Sequence, residues 1–317
     1  MSGVEAWTQP AGKIWQIGFL TDSSASDPVN LLRVDIFRQG LRDLGYVEGK
    51  NINIEYRYAE GKSERLAELA DELVRLKVDI LVVPNDTTAR AAKVSTTTIP
   101  IVMTSSGSPI GNRVIASQAR PGGNVTGLTS YNAELLDKRL GLLKEVLPKI
   151  TRFAFLNAES ARQGGSAAAF KNAQGTAKFL GVRFQLVEVN AQNPDIDGAF
   201  RLMVKERIGA LVTAPGPGVS IHRSRIWELA AQYRIPAIHP TQQWANQGGL
   251  MSYGANTVEQ SRRAAVYVDK IFKGAKPADL PVEGPMKFEF VINLQAAKKI
   301  GVTVPQSVLF RADRVIQ

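Results

Sequence analysis

The stretch Ile17-Gly18-Phe19-Leu20 is a short apolar run with polar residues behind it, and it returns 136 positions later as Phe153-Ala154-Phe155-Leu156. Two further pairs repeat in the same order at the same offset, namely Leu44-Gly45 with Leu180-Gly181, and Ile99-Pro100 with Ile235-Pro236. One such match would carry little weight. Three at one spacing indicate that the chain contains two domains of similar fold.

Strand and helix patterns alternate around each copy of this run. Asp27-Pro28 reads as a helix N-cap followed by a first helical residue, and Gly45 as the stop of the same helix. Ile80-Leu81-Val82-Val83 is a continuous apolar run, typical of a parallel strand covered on both faces. The pattern therefore predicts an α/β protein with two similar doubly wound parallel-sheet domains.

The repeat also sets the expected domain limits. We predict an N-terminal α/β domain over residues 13–128 and a second α/β domain over residues 129–255. Residues 256–317 contain a helix pattern, a strand pattern and a second helix pattern, too little for a third domain. We expect this tail to return to the first domain, so that several crossings form a hinge.

Composition excludes several classes of protein. The formal charge of +10 is spread among acidic residues and has no aromatic interleaving, so we expect no nucleic-acid partner. No apolar run approaches the roughly 18 residues that span a bilayer. Residues 1–12 lack the basic start and apolar core of an export signal, and the chain has no cysteine. These two features are compatible with a cytoplasmic protein or with an exported one whose signal has been removed.

Polar side chains follow the predicted strands, where open parallel sheets bind ligands and helix N-termini attract anions. The candidate ligand-binding residues of the first domain are Thr21, Asp22, Ser23, Asn85, Asp86, Thr87, Thr88, Thr104, Ser105, Ser106 and, where the chain leaves that domain, Tyr131. Those of the second domain are Asn157, Glu159, Pro215, Gly216, Gln242 and Trp244. Such residues also serve as N-caps and turn formers, so each has a structural alternative.

Catalytic motifs are absent from the sequence. There are two histidines, His222 and His239, and neither belongs to a His-Glu-x-x-His zinc motif. No Gly-x-Ser-x-Gly elbow, phosphate loop or dinucleotide fingerprint occurs. We therefore expect no enzymatic activity, no cofactor and no metal.

Five blocks of sequence together resemble one family, the ABC-transporter substrate-binding proteins that include tryptophan- and tyrosine-binding members. The likeness covers most of the chain from Ile17 to Ile316. The blocks are Phe37–Gly49, Ala119–Gly127, Gly248–Gly254, Tyr267–Pro281 and Val291–Leu294.

This resemblance implies a type I periplasmic-binding-protein-like fold with a multi-crossover hinge and ligand between the domains. It also implies a periplasmic location and delivery of a small molecule to the permease of an importer; we expect a monomer. Family members often carry acids where this chain has Gly107-Ser108-Pro109 and Pro215-Gly216-Pro217. That difference favours a small carboxylate, aromatic or branched, over an aromatic amino acid as the ligand, with Asp86 and Glu159 as remaining partners for an ammonium group. The alternatives are the ligand-sensing module of a regulator and a two-domain α/β transferase.

Overall fold

The computed structural model describes residues 13–158, 165–190 and 193–317, over which strands and helices alternate. The first elements are β1 (Trp15–Thr21), α1 (Pro28–Asp43), β2 (Ile52–Tyr58), α2 (Leu66–Arg75), β3 (Ile80–Val83), α3 (Asp86–Ser95), β4 (Ile101–Ser106) and β5 (Val125–Thr129). The next are α4 (Leu136–Val146), β6 (Arg152–Ala158), α5 (Gly165–Phe179), β7 (Arg183–Val189), α6 (Ile196–Lys205), β8 (Ala210–Thr213), α7 (Pro217–Ser220), α8 (Arg223–Gln232), β9 (Ala237–His239), α9 (Gln242–Asn246) and β10 (Met251–Ala255). The last are α10 (Thr257–Phe272), β11 (Phe288–Asn293), α11 (Leu294–Ile300), α12 (Gln306–Leu309) and β12 (Arg314–Ile316).

Two sheets with the same strand order confirm the predicted repeat. The first sheet runs β2-β1-β3-β4-β5, and the second contains β7-β6-β8-β9-β10, with all of these strands parallel to their neighbours. The register agrees as well, because Ile17 pairs with Ile80, the first residue of β3, and Phe153 pairs with Ala210, the first residue of β8. Both domains are therefore doubly wound around the same order of strands.

Alternation along the buried strands places helices on both faces of the first sheet. Ile80 and Val82 belong to a core cluster that includes residues of α1 and α10, whereas Leu81 and Val83 pack with residues of α2 and α3. All four side chains are buried, as a sheet covered on both faces requires. None of the described helices is long and apolar enough to span a bilayer.

Helix α1 begins and ends where the sequence predicts. The Asp27 side chain accepts hydrogen bonds from the Val29 and Asn30 backbone N–H groups, and Gly45 follows the helix at φ +88°. Gly40 lets α1 lie close to α10, since a Cβ at this position would be 2.8 Å from the Arg262 carbonyl oxygen. Helix α10 thereby returns to the first domain, and its Asp269 accepts a hydrogen bond from the Tyr46 hydroxyl.

The rest of the tail does not return there, and the sheet order corrects the predicted boundary. β11 pairs antiparallel with β10 and β12 pairs with β11, so residues 288–293 and 314–316 extend the second sheet to seven strands within the described residues. The open edge of β10 would otherwise expose unpaired backbone groups, which β11 satisfies. Alternating apolar residues identified β11 as a strand but did not specify which sheet edge it joins.

The chain crosses between the domains three times within the described residues: after β5, after β10 and before β11. Arg139, buried on α4, links the segments at the first two crossings through hydrogen bonds. It donates to the Tyr253 carbonyl oxygen and to both the carbonyl and side-chain oxygens of Asn132. This multi-crossover connection is the one predicted from the sequence.

Candidate functional site between the domains

A cavity of about 350 Å³ lies between the two domains, beyond the carboxyl ends of the strands. Both repeats and the crossings contribute to its lining, as expected for parallel sheets that face each other. The predicted residues that line it are Asp22, Ser23, Asn85, Asp86, Thr87, Ser105, Asn157, Pro215, Gly216 and Trp244. Those that do not are Thr21, Thr88, Thr104, Ser106, Tyr131 and Gln242, while Glu159 lies outside the described residues.

Asp22 and Asn85 lie together in the part of the cavity lining that the first domain contributes. The Asn85 amide nitrogen donates to Asp22 at 3.1 Å, and Asn85 also caps α3 through the Thr87 and Thr88 N–H groups. Asp22 is almost wholly buried, and this burial raises the pKa of its carboxyl. Ionised Asp22 is therefore less stable here than in water.

Arg33 is the most informative residue that the sequence analysis missed. It projects from α1 into the cavity lining, donates to the Thr257 hydroxyl at 3.1 Å, and leaves its Nε without a partner among the described residues. Burial lowers its pKa. A signal was available, because Arg33 lies one turn before the buried Phe37 and close to the helix N-terminus, where a cation is disfavoured.

Asp86 lines the cavity with both carboxylate oxygens already engaged. One accepts a hydrogen bond from the Ser106 hydroxyl, and the other accepts from the Gly107 and Ser108 N–H groups at 2.9 and 3.1 Å. These contacts fix the loop that follows β4. They occupy part of the acceptor capacity of the Asp86 carboxylate, and its role as a partner for a ligand ammonium group stays a prediction.

Several predicted residues have structural roles instead of facing the cavity. The buried Thr88 hydroxyl bonds to the Asn85 backbone in a capping box, and the buried Thr21 hydroxyl accepts from the Ser23 N–H. Thr104 is buried inside β4. Thr88 and Thr21 thus have the capping and turn roles that the sequence left open, whereas Thr104 is part of a strand.

Tyr131 and Gln242 point elsewhere. Tyr131 donates to Gln118 at 3.0 Å and packs its ring against Gly284, outside the cavity lining. Gln242 accepts from Arg314, while the next residue, Gln243, is buried and donates to the Thr257 hydroxyl at 3.3 Å. The helical register of α9 thus turns Gln243 inward, but neither glutamine is among the described residues that line the cavity.

The second domain's wall is formed by small, apolar and amide side chains. Trp244 borders the cavity and stacks on buried His239, with ring centroids 4.3 Å apart. Burial lowers the pKa of His239 to about 3, so the ring is neutral, and its Nδ1 bonds to the Thr213 hydroxyl at 3.0 Å. Asn157 is 1% exposed. Gly216, at φ +114°, lines the loop after β8.

Two direct contacts link the domains across their interface. Arg223 of α8 pairs with Asp27, the N-cap of α1, at 2.7 Å, and both side chains are mostly buried. In the second contact the Gly165 N–H donates to the Asn112 side chain at 2.9 Å. The cavity between the domains is large enough for a small organic molecule.

The chain matches the sequence profile of the ABC transporter substrate binding protein family over residues 24–316. It belongs to that family. The two-domain fold, the interdomain cavity and the sequence blocks quoted above all agree with this membership.

Three relatives illustrate the likeness. The tyrosine-binding protein of Clostridioides difficile is 24% identical over 265 residues, covering 83% of this chain and 75% of that protein. An ABC domain from Streptococcus pneumonia, solved in complex with L-Trp, has a TM-score of 0.87 at 24% identity and covers 96% of this chain and 100% of that one. A conserved domain protein from Vibrio cholerae has a TM-score of 0.86 at 26% identity, with the same coverage. These structures confirm the type I periplasmic-binding-protein-like fold.

Proposed function

We propose that this family member binds a small organic carboxylate with an aromatic or branched apolar body and delivers it to the permease of an ABC importer. An aromatic amino acid is the close alternative. The proposed location is the periplasm, where such a receptor meets its ligand before transport. The observation that carries the ligand class is the half-buried Arg33 in the cavity lining, whose Nε is buried without a hydrogen-bond partner among the described residues.

Arg33 has no ion pair among the described residues, and its Nε has no hydrogen-bond partner. Asp22 and Asp27 attract the charge of Arg33 without forming a salt bridge with it among the described residues. A carboxylate can accept two parallel hydrogen bonds from a guanidinium. A ligand carboxylate in the cavity would therefore supply the missing acceptor and a counter-charge in direct contact.

The remaining charges favour an anion as well. Arg90 lines the cavity without an ion pair among the described residues, and Asp86 is engaged by the loop after β4. Asp22 is the acidic side chain of the described lining that remains for an ammonium group. Its burial and its bond to Asn85 support a carboxylate ligand over a zwitterion.

Trp244 supports an apolar body on the ligand. Trp244 borders the cavity, is 2% exposed, and has one face of its ring covered by His239. Aromatic rings stack favourably with other flat groups. The relatives that bind tyrosine and L-Trp, according to their names, are consistent with a flat ligand of this size.

A thermal-shift panel tests the ligand class. The panel contains 3-phenylpropionate, its neutral amide, phenylalanine and tryptophan. Binding raises stability by about 2.7 kcal/mol when the ligand is at a hundredfold excess over its Kd. We expect the carboxylate to stabilise the protein far more than its amide, and Arg33→Gln to abolish that difference.

Arg38→Gln is the matched control, since Arg38 lies on the same helix but pairs with Glu48 at the surface. It should leave the shifts unchanged. Equal stabilisation by the amide and the acid, or full retention of binding in Arg33→Gln, would contradict the proposal.

The ligand is also proposed to leave the cavity chemically unchanged, because the family is one of solute-binding proteins. Incubation of a confirmed ligand with the protein, followed by mass spectrometry, tests this statement. Conversion above that of a heat-inactivated sample would show enzymatic activity.

A further inference from the structure

Asn157 is a buried amide in the wall of the cavity without a complete set of partners. It is the penultimate residue of β6, is 1% exposed and borders the cavity. Its Nδ2 has no hydrogen-bond acceptor among the described residues. Buried polar groups are nearly always paired, so each exception needs an explanation.

The backbone around Asn157 holds this amide in place. β6 lies between β7 and β8, and Asn157 pairs in register with Glu188 of β7. A residue fixed inside a central strand cannot turn its side chain out to solvent. An acceptor, either water or an oxygen of a bound ligand, can therefore reach this amide only from the cavity.

The neighbouring described lining residues do not supply that acceptor through their side chains. Ala158, Pro215 and Gly216 carry no polar side-chain atom, and the indole of Trp244 is a donor only. The wall also has hydroxyls on Ser166, Ser220 and Thr241, but none of them accepts a hydrogen bond from the Asn157 amide. This wall also carries no charged side chain among its described lining residues. A second carboxylate would have no counter-charge here, whereas a neutral oxygen needs none.

We infer that the ligand carries, on its apolar body, a neutral oxygen acceptor (a hydroxyl or carbonyl group) that Asn157 recognises. The inference rests on the proposed function, since it assumes that the carboxylate end binds at Arg33 on the opposite wall. Asn157 is then the residue that sets specificity among carboxylates of similar shape.

Isothermal titration of three probes tests the assignment: 3-phenylpropionate and its 3-hydroxyphenyl and 4-hydroxyphenyl analogues. The protein should bind one hydroxylated probe about tenfold more tightly than the parent, because a site with an unpaired donor rejects the ligand that leaves it unpaired. Asn157→Leu should reduce that ratio to about one. Arg33→Gln should weaken all three probes and leave the ratio unchanged.

A general loss of stability in a variant affects the Kd values of all probes alike, so it does not change the ratio between two of them. If Asn157→Leu does not fold, Asn157→Ala provides the same measurement. Equal binding of all three probes by the unmodified protein would overturn the inference and leave the carboxylate proposal standing. A preference that persists in both Asn157 variants would overturn the role of this residue. No binding of any probe would refute both proposals.

Discussion

The two walls of the cavity occupy equivalent places in the two domains, yet they differ in charge. The register of the strands matches Asp22, after β1, with Ala158 at the end of β6, and it matches Asp86, at the start of α3, with Gly216. All four residues line the cavity. The repeated fold therefore supplies equivalent positions, while the side chains at those positions give one wall acidic groups and leave the other without them.

The walls also differ in how they relate to the protein's own stability. Trp244 belongs to the core of the second domain, so its presence both stabilises the protein and shapes the cavity. Arg33 is a half-buried cation with an unpaired Nε, so we expect it to contribute more to ligand binding than to folding. Variants of the two walls should consequently separate stability from affinity.

The largest expected effect is that of Trp244→Ala on stability. Loss of the ring removes the stack on His239 and leaves a void, which costs about 3–5 kcal/mol. Urea unfolding of the ligand-free protein measures it, with Trp244→Phe as the control that retains an aromatic ring. In the same assay Arg33→Gln should lose little or gain stability. A larger loss for Arg33→Gln than for Trp244→Ala would reverse the comparison.

Ala158→Asp moves a charge to the wall that lacks one. The equivalent position in the first domain is Asp22, and Ala158 is nearly buried, so the new carboxylate would repel an anionic ligand at close range. We expect the Kd for 3-phenylpropionate to rise about tenfold or more, which is about 1.4 kcal/mol. Ala158→Asn, of nearly equal size, should have a much smaller effect. Equal losses in both variants would indicate a steric cause.

The smallest effect is expected for Asp22→Asn, and it depends on pH. Burial raises the pKa of Asp22, so the native state keeps this carboxyl protonated at pH values above the ordinary pKa of 3.8. The free energy of unfolding therefore falls as the pH rises from 3.8 towards neutrality and the carboxyl ionises. The variant should therefore melt at a higher temperature than the unmodified protein at neutral pH, with the difference disappearing near pH 3.8. Retention of the Asn85 contact by the new amide oxygen makes the substitution conservative. A lower melting temperature at neutral pH would contradict this reasoning.

The strands, the repeat and the ends of α1 could be predicted from the sequence because they depend on local patterns. The destination of β11 could not, since the apolar alternation of a strand does not specify the sheet edge it joins. Among site residues, the loops after β1, β3 and β8 and the end of β6 line the cavity as predicted, and their contact with ligand stays a prediction. Thr88 could not be separated from Thr87, because adjacent residues at a helix start differ only in the direction that the cap gives them.

A crystal structure of the complex with 3-phenylpropionate would test most directly whether the first wall binds the carboxylate and the second wall binds the ring. We predict a carboxylate within about 2.7–2.9 Å of the Arg33 guanidinium nitrogens and a phenyl ring against Trp244. A carboxylate bound at Asn157 on the second wall, with the ring placed between Asp22 and Arg33, would contradict the account.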